Sequence, residues 1–292
     1  MTGAVQNTHL FDVQRKRPRL RRYFRWAVPS CAALVLLITA VLTLLSGCIA
    51  PFDPLEMHPL DRFMHPSEHY LLGTDNFGRD TFSRILHGGR VSLSVAFLVA
   101  IATSLLGIFL GVMAGYVRWL DGVLMRIMDG LMAIPGILLA IALMTVMEAS
   151  LLTVVFAITI TEIPRMTRLA RAATLGVRNM LYIEAAVTVG TRFFPLLWRH
   201  ILPNIAAPLL VQATFVAASA ILLEAYLGFL GAGIPPEVPS WGNMIAQGRT
   251  FVQVSFGLVL YPSLLLAAVV LSINVLGDFL RDVLDPRMTG RK

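Results

Sequence analysis

From Val91 to Val117 the chain reads VSLSVAFLVAIATSLLGIFLGVMAGYV and holds no charged residue. A bilayer-spanning helix needs about 20 apolar residues in succession, and a helix apolar on every face has no side to turn to water. Comparable stretches run over Trp26–Phe52, Gly130–Met147, Ala149–Pro164, His200–Leu223 and Thr250–Gly277. The fourth in chain order, Ala149–Pro164, is the shortest and carries Glu162, and Asp129 stands at the edge of the third. The sequence therefore predicts an all-α polytopic membrane protein with six transmembrane helices. Composition agrees: 57% of residues are hydrophobic and only 14% charged, against roughly a quarter charged in a soluble domain.

Charge orients the spans. Lys and Arg residues concentrate on the cytoplasmic side of membrane proteins, and here 19 of the 24 fall in alternate gaps: Arg15–Arg25, the gap after span two, the gap after span four, and the C-terminal tail. Both termini and the segment between spans four and five are thus expected in the cytoplasm. The net charge of +7 does not point to nucleic acid, because the basic residues gather between apolar runs and form no stripe interleaved with exposed aromatics. The expected division is a basic arm (1–25), a first span (26–50), an outer loop (51–90), a five-helix core (91–277) and a tail (278–292). The arm could attract anionic lipid at about 1 kcal/mol per basic residue, although orienting the first span is its simpler role.

Two features of the N-terminal half have tempting readings. Leu45-Ser46-Gly47-Cys48 after a basic start resembles a lipoprotein cleavage box, but the apolar run is long enough to span uncleaved. Cys31 and Cys48 would sit about 25 Å apart along one helix, which excludes a disulfide between them. In the outer loop, His65 and His69 have helical metal-ligand spacing, yet Pro66 lies between them and no cysteine supports a site; an ordinary solvated loop is expected and no metal. Further on, Phe82, Ile85, Leu86 and Gly89 recur at helical spacing, which predicts a short amphipathic helix on the membrane surface before span two.

A charge near the middle of a span costs about 2.5–3.5 kcal/mol, so intramembrane carboxylates are expected to face water, a partner or the bundle interior. Asp129 could pair with Arg126 and Glu162 with Arg165. Glu224 has no neighbouring base and is expected in a water-filled cavity or at a seam between subunits; Glu162 is a second candidate for such a position. Gly107, Gly111 and Gly115 recur every fourth residue and predict close helix packing. No G-x-x-x-x-G-K-[ST] run is present to cradle phosphates, so no catalytic residue is expected and any energy for transport must come from a partner or an ion.

The cytoplasmic segment 171–205 contains EAAVTVGTRFFPLLWRHILPN (184–204). Leu181, Glu184 and Ala185 share one side of a first helix, and Gly190 stops it by tolerating a left-handed backbone. Phe194, Leu197, Trp198 and Ile201 form an apolar stripe on a second helix, with Pro195 in its first turn and Pro203 breaking it before span five. The expected product is a helix-turn-helix elbow.

Glu184-Ala185-Ala186, Gly190, His200 and Ile201-Leu202-Pro203 resemble the EAA motif of permease subunits of bacterial ABC importers, with His200 standing where isoleucine is usual. Arg199–Asn204, RHILPN, is similar to the variant of the dipeptide and oligopeptide branch. LGTDNFGRDTFSRILHGGRVSL, RIMDGLMAIPGILLAI, ILLEAYLGFLGAGIPPEVPSWGNMIAQGR and NVLGDFLRDVLDPRM resemble the C-type permease of that branch, so the likeness covers about residues 26–288. It implies the type I importer permease fold, multi-pass in the bacterial inner membrane, forming half of a pathway with a homologous second permease. An extracytoplasmic substrate-binding protein would deliver peptide, and one or two cytoplasmic ATPase subunits would bind ATP and Mg²⁺, this chain holding no cofactor. Glu184 to Gly190 would seat in a cleft of the ATPase, small at Ala185 and Ala186, turned at Gly190, with Arg192 against acidic partner residues and His200 and Pro203 completing the motif. Similar permeases import nickel or other small solutes. An ion-coupled secondary transporter would show internal repeats and ionisable midplane residues, and a structural membrane protein would need no elbow.

Overall fold

The computed structural model describes residues 20–284. Along the chain run α1 (Leu20–Leu44), the one-turn α2 (Ser46–Ile49), α3 (Thr81–Tyr116), α4 (Arg118–Ala133), α5 (Gly136–Val146), α6 (Leu151–Arg178), α7 (Leu181–Thr188), α8 (Phe193–Leu196), α9 (Leu202–Phe229), α10 (Trp241–Gly248) and α11 (Gly257–Leu284). Residues 1–19 of the basic arm and residues 285–292 of the tail lie outside the described residues. Among the described residues, four helical runs are long and apolar enough to cross a membrane: Trp26–Leu44, Thr81–Tyr116, Phe193–Phe229 and Gly257–Leu284. α4 and α5 together make a fifth if taken as one broken span.

Several expected boundaries change. The first span ends at Leu44, and Phe52 instead packs in the loop with its ring centroid 5.3 Å from that of Tyr70. The separate surface helix before span two does not form. Asp80 caps α3 by accepting from the Ser83 amide at 2.8 Å, which satisfies a free first-turn N–H, and the helix runs on unbroken for 36 residues. At 1.5 Å per residue that is about 54 Å, longer than the hydrocarbon layer of about 30 Å. Ile85 and Leu86 are buried in the protein rather than laid on lipid.

The third expected span is broken. Ile134 is extended (φ −97°, ψ 130°) and α4 meets α5 at 90°. The Pro135 ring disfavours helical backbone at the preceding residue, and Pro135 has no N–H for the Leu131 carbonyl. The fourth expected span falls on the front half of α6, started by Ser150, whose hydroxyl accepts from the Thr153 amide at 3.1 Å. The same helix continues through Arg165, Arg168, Arg171 and Arg178, which is why it is too charged as a whole to match the other spans.

The glycine stripe packs as its spacing predicts. A Cβ on Gly107 would lie 2.7 Å from the Met166 side chain, one on Gly111 2.5 Å from Ala170 Cβ and the Thr167 carbonyl, and one on Gly115 2.8 Å from Thr174 Cβ. α3 therefore lies against α6 along three turns, around a core that includes Val99, Val154, Ile158 and Ala220. Two ion pairs then tie α6 to α4, Arg171 with Asp121 and Arg168 with Asp129. The expected partner of Asp129, Arg126, is not the one used: the α6 guanidinium reaches it across the helix interface.

The bundle has two unlike ends. At one end Trp26 of α1 meets Phe279 of α11 at 5.2 Å between ring centroids, and Tyr116 of α3 meets Phe193 of α8 at 4.8 Å. This is the elbow end. The loop end gathers residues 51–80, the start of α3, and the segment from Leu230 to Phe256 around α10.

Candidate functional site

At the elbow end, α7 stops by a backbone device that the sequence announces. Gly190 is left-handed (φ +88°), its N–H donates to Val187 O at 2.9 Å, and the Thr191 N–H donates to Ala186 O at 3.0 Å. This pair of reversed bonds is the Schellman arrangement, which caps the final carbonyls of a helix and favours glycine at the left-handed position. Among the described residues nothing lies within 4 Å of a Cβ added at Gly190, so the preference for glycine there comes from φ.

Ile183, 2% exposed, anchors α7, and Leu196, fully buried, anchors α8. Arg178 ends α6 by donating from Nη1 to Tyr116 O at 2.9 Å, fixing α6 to α3 where the elbow begins. On the outside, Glu184, Ala185, Gly190, Arg192 and Pro203 are exposed, and Ala186 and His200 are half-buried. Leu181 shares the exposed side with Glu184 and Ala185, as the helical spacing predicts. Val189 (87% exposed), Phe194 (69%) and Trp198 (70%) extend this apolar surface.

The second arm differs from expectation in two ways. Its stripe is split, because Ile201 faces the core while Phe194 and Trp198 face out. Pro203 does not break the chain before span five either. Residues Leu197–Ile201 form a π-helical turn, with the Leu202 N–H donating to Leu197 O, and α9 follows directly. A wider turn accommodates the ring and the missing N–H of a proline that would clash in a regular helix. Asn204 Nδ2 donates to His200 O at 2.6 Å and binds one of the carbonyls there. The elbow is thus continuous with the long run Phe193–Phe229.

Glu224 lies between α9, α3 and α10. It is 1% exposed inside its own chain, and Ser92 Oγ of α3 donates to Oε2 at 2.9 Å. The same Ser92 oxygen accepts from the Trp241 amide at 3.3 Å, so the carboxylate joins α9, α3 and α10. Trp241, fully buried, donates from Nε1 to Ile85 O at 3.1 Å. Asn243 Nδ2 donates to the carbonyls of Ile234, Pro235 and Val238, holding the proline-rich loop closed. Glu162 does pair with Arg165, Nη1 to Oε1 at 3.3 Å, and it lines a cavity of about 420 Å³.

Sequence reasoning missed a buried charge cluster at the loop end. Asp75, Arg79 and Arg84 are 7%, 3% and 1% exposed. Asp75 Oδ1 accepts from the amides of Phe77 and Arg79, and Oδ2 pairs with Arg79 Nε at 2.7 Å and Arg84 Nε at 3.7 Å. Gln247 Oε1 accepts from both arginines, at 3.0 and 3.4 Å. The turn depends on Gly78 (φ +76°), where a Cβ would collide with His58 O. The signal was the run Gly73-Thr74-Asp75-Asn76-Phe77-Gly78-Arg79-Asp80, dense in turn residues, which reads as a loop until its partner Gln247, 168 residues from Arg79, is known. His69 stacks edge-on with Phe52 and Tyr70.

Residues 79–290 match the model of the family described as "Binding-protein-dependent transport system inner membrane component". A probable peptide ABC transporter permease of Sinorhizobium fredii is 47% identical over 240 residues, covering 82% of each chain. The dipeptide transport system permease DppC of Alkalihalophilus pseudofirmus is 42% identical over 248 residues, again covering 82% of each. Among solved structures, the inward-facing methionine ABC transporter MetNI matches with a TM-score of 0.58 and 19% identity, covering 70% of this chain and 98% of the other. That last likeness concerns the fold alone. The chain belongs to the binding-protein-dependent transport system inner membrane component family, and it is a membrane-embedded transport permease rather than a catalytic subunit.

Proposed function

We propose that this chain is one of two homologous permeases of an ATP-driven importer of short peptides, and that α7 and the Gly190 turn are its docking element for a cytoplasmic ATPase. The observation that carries the reading is the elbow itself: a short helix capped by a left-handed glycine, anchored through Ile183 and Leu196, with an apolar outer face. An exposed cluster of large apolar side chains marks a partner surface. Glu184, Ala185 and Ala186 would sit in a cleft of the ATPase, Arg192 would meet acidic partner residues, and His200 and Pro203 would hold the π turn that passes motion into α9. ATP and Mg²⁺ would be bound by one or two ATPase subunits, and an extracytoplasmic binding protein would deliver substrate at the loop end. The skewed Lys and Arg distribution supports a cytoplasmic elbow and cytoplasmic termini in a bacterial inner membrane. Peptide as substrate is supported by the names of relatives that match most of the chain.

The test is ATP-dependent uptake in proteoliposomes holding this chain with its second permease, ATPase and binding protein. Loss of uptake in Glu184→Ala/Gly190→Asp with the complex still assembled is the expected result. Unchanged uptake would reduce the elbow to a surface loop.

A further inference from the structure

We propose that the cavity at the break between α4 and α5 is a subsite for a primary ammonium group, the free amino terminus of a peptide, with Glu162 as its acceptor. The peptide part rests on the function proposed above; the ammonium part rests on the geometry. The cavity of about 420 Å³ is bounded by the Ile134–Pro135–Gly136 break, by Thr161, Glu162 and Arg165 of α6, and by Ser219 and Tyr226 of α9. Its wall sets the Glu162 carboxylate and the Thr161, Ser219 and Tyr226 hydroxyls beside the Arg165 guanidinium. Glu162 is 3% exposed, and its two oxygens share a single partner among the described residues, Arg165 Nη1 at 3.3 and 3.5 Å. Charge-assisted bonds of this type close to about 2.7–2.9 Å when they are optimal, and a carboxylate has about four acceptor positions. Arg165 is largely exposed, so it can swing away without itself being stranded. Across the cavity the Leu131 carbonyl has lost its helical donor, because the residue four ahead is Pro135. Thr161 Oγ1, also in the lining, donates its proton to Ile158 O at 2.7 Å and so keeps only acceptor capacity.

A buried carboxylate beside an interrupted helix is costly in a membrane protein unless it lines a pathway or meets a ligand. A compact ammonium with three N–H donors fits the two Glu162 oxygens once Arg165 moves aside, whereas an anion would meet Glu162 directly. Arg165, once displaced, would face the adjacent peptide oxygen.

The experiment uses the assembled transporter with Cys31→Ser and Cys48→Ser, both exposed cysteines, and a reporter thiol at Ser219→Cys. Rates of modification by a cationic and an anionic methanethiosulfonate reagent are compared, then repeated with trialanine or N-acetyltrialanine present. We expect the cationic reagent to react about tenfold faster, as a focused local field produces, and trialanine alone to protect. Glu162→Gln should abolish both effects and Glu162→Asp, which keeps the charge, should retain them. Equal rates for the two reagents in the parent, or a preference that survives Glu162→Gln, would overturn the subsite. Protection that is equal for the two peptides would overturn the amino-terminal assignment. Cation preference with no ATP-dependent peptide uptake would leave the ammonium site standing and remove the peptide reading.

Discussion

The two ends of this molecule are stabilised by opposite means. At the loop end, charges are buried: Asp75, Arg79 and Arg84 bond to one another, to Gln247 of α10 and, through Arg84 Nη1, to Pro54 O at 3.2 Å. At the elbow end, large apolar side chains are left outside, with Val189, Phe194 and Trp198 all more than half exposed. The first arrangement is closed within the chain, since its polar groups find partners in α3, α10 and the outer loop. The second is open, since most of its apolar surface is uncovered among the described residues. A cluster whose charges are paired within the chain holds the loop end together, whereas exposed apolar surface contributes little to the stability of the isolated chain. Substitutions at the loop end should therefore act on folding, and those at the elbow on coupling.

The sharpest way to break this contrast is Asp75→Ala, which strands two buried guanidinium groups. Breaking a buried pair by removing one partner costs about 3–5 kcal/mol, so most of the folded chain should be lost on thermal challenge in detergent. A stable protein would mean that water reaches the cluster and that the loop end is not closed. Next in size is Gly111→Val, at the middle of the contact between α3 and α6. Overpacking of this kind costs about 1–3 kcal/mol, and the added Cβ alone would stand 2.5 Å from the Thr167 carbonyl. The midpoint of unfolding should fall, with less effect for the same change at Gly122, where a Cβ meets nothing within 4 Å.

Gly190→Ala is smaller for stability and larger for function. A non-glycine residue in the left-handed region costs about 1–2 kcal/mol, local to the Schellman turn, while ATP hydrolysis should become uncoupled from uptake. Gly190→Asn tolerates that backbone better and should restore much of the coupling; equal defects in both variants would point to a steric role instead. The smallest stability effect is expected for Trp198→Ala. Surface substitutions usually stay within about 0.5 kcal/mol, yet retention of the ATPase during purification should drop. A Trp198→Ala variant that unfolds would show that the elbow end is closed after all.

Much of the elbow was legible because its signals are local. Gly190 declared a left-handed turn one residue past a helical run, and Leu181, Glu184 and Ala185 lay on one side by period alone. The second arm was misjudged because Pro203 reads as a helix breaker from its own chemistry. The π turn before it removes the conflict, and nothing in the local sequence distinguishes the two outcomes. Asp129 was assigned to Arg126 by sequence proximity, but Arg168 sits 39 positions away and nearer in space. Glu224 has no base near it in sequence, and the group that bonds to it is a serine hydroxyl 132 positions earlier.

By itself the sequence determined that the chain enters a membrane, where α7 turns, and which face of α3 packs closely. These follow from hydrophobicity and backbone stereochemistry, which act within a few residues. Only the tertiary structure decided that Pro135 breaks a span while Pro164, Pro208 and Pro262 remain inside helices, that Ser92 holds Glu224, and that Arg79 and Arg84 share one carboxylate. A freed carbonyl or a buried charge needs a partner, and the low dielectric of the interior makes that need strong. Which group supplies it depends on what packing brings within about 3 Å, and distance along the chain does not record that.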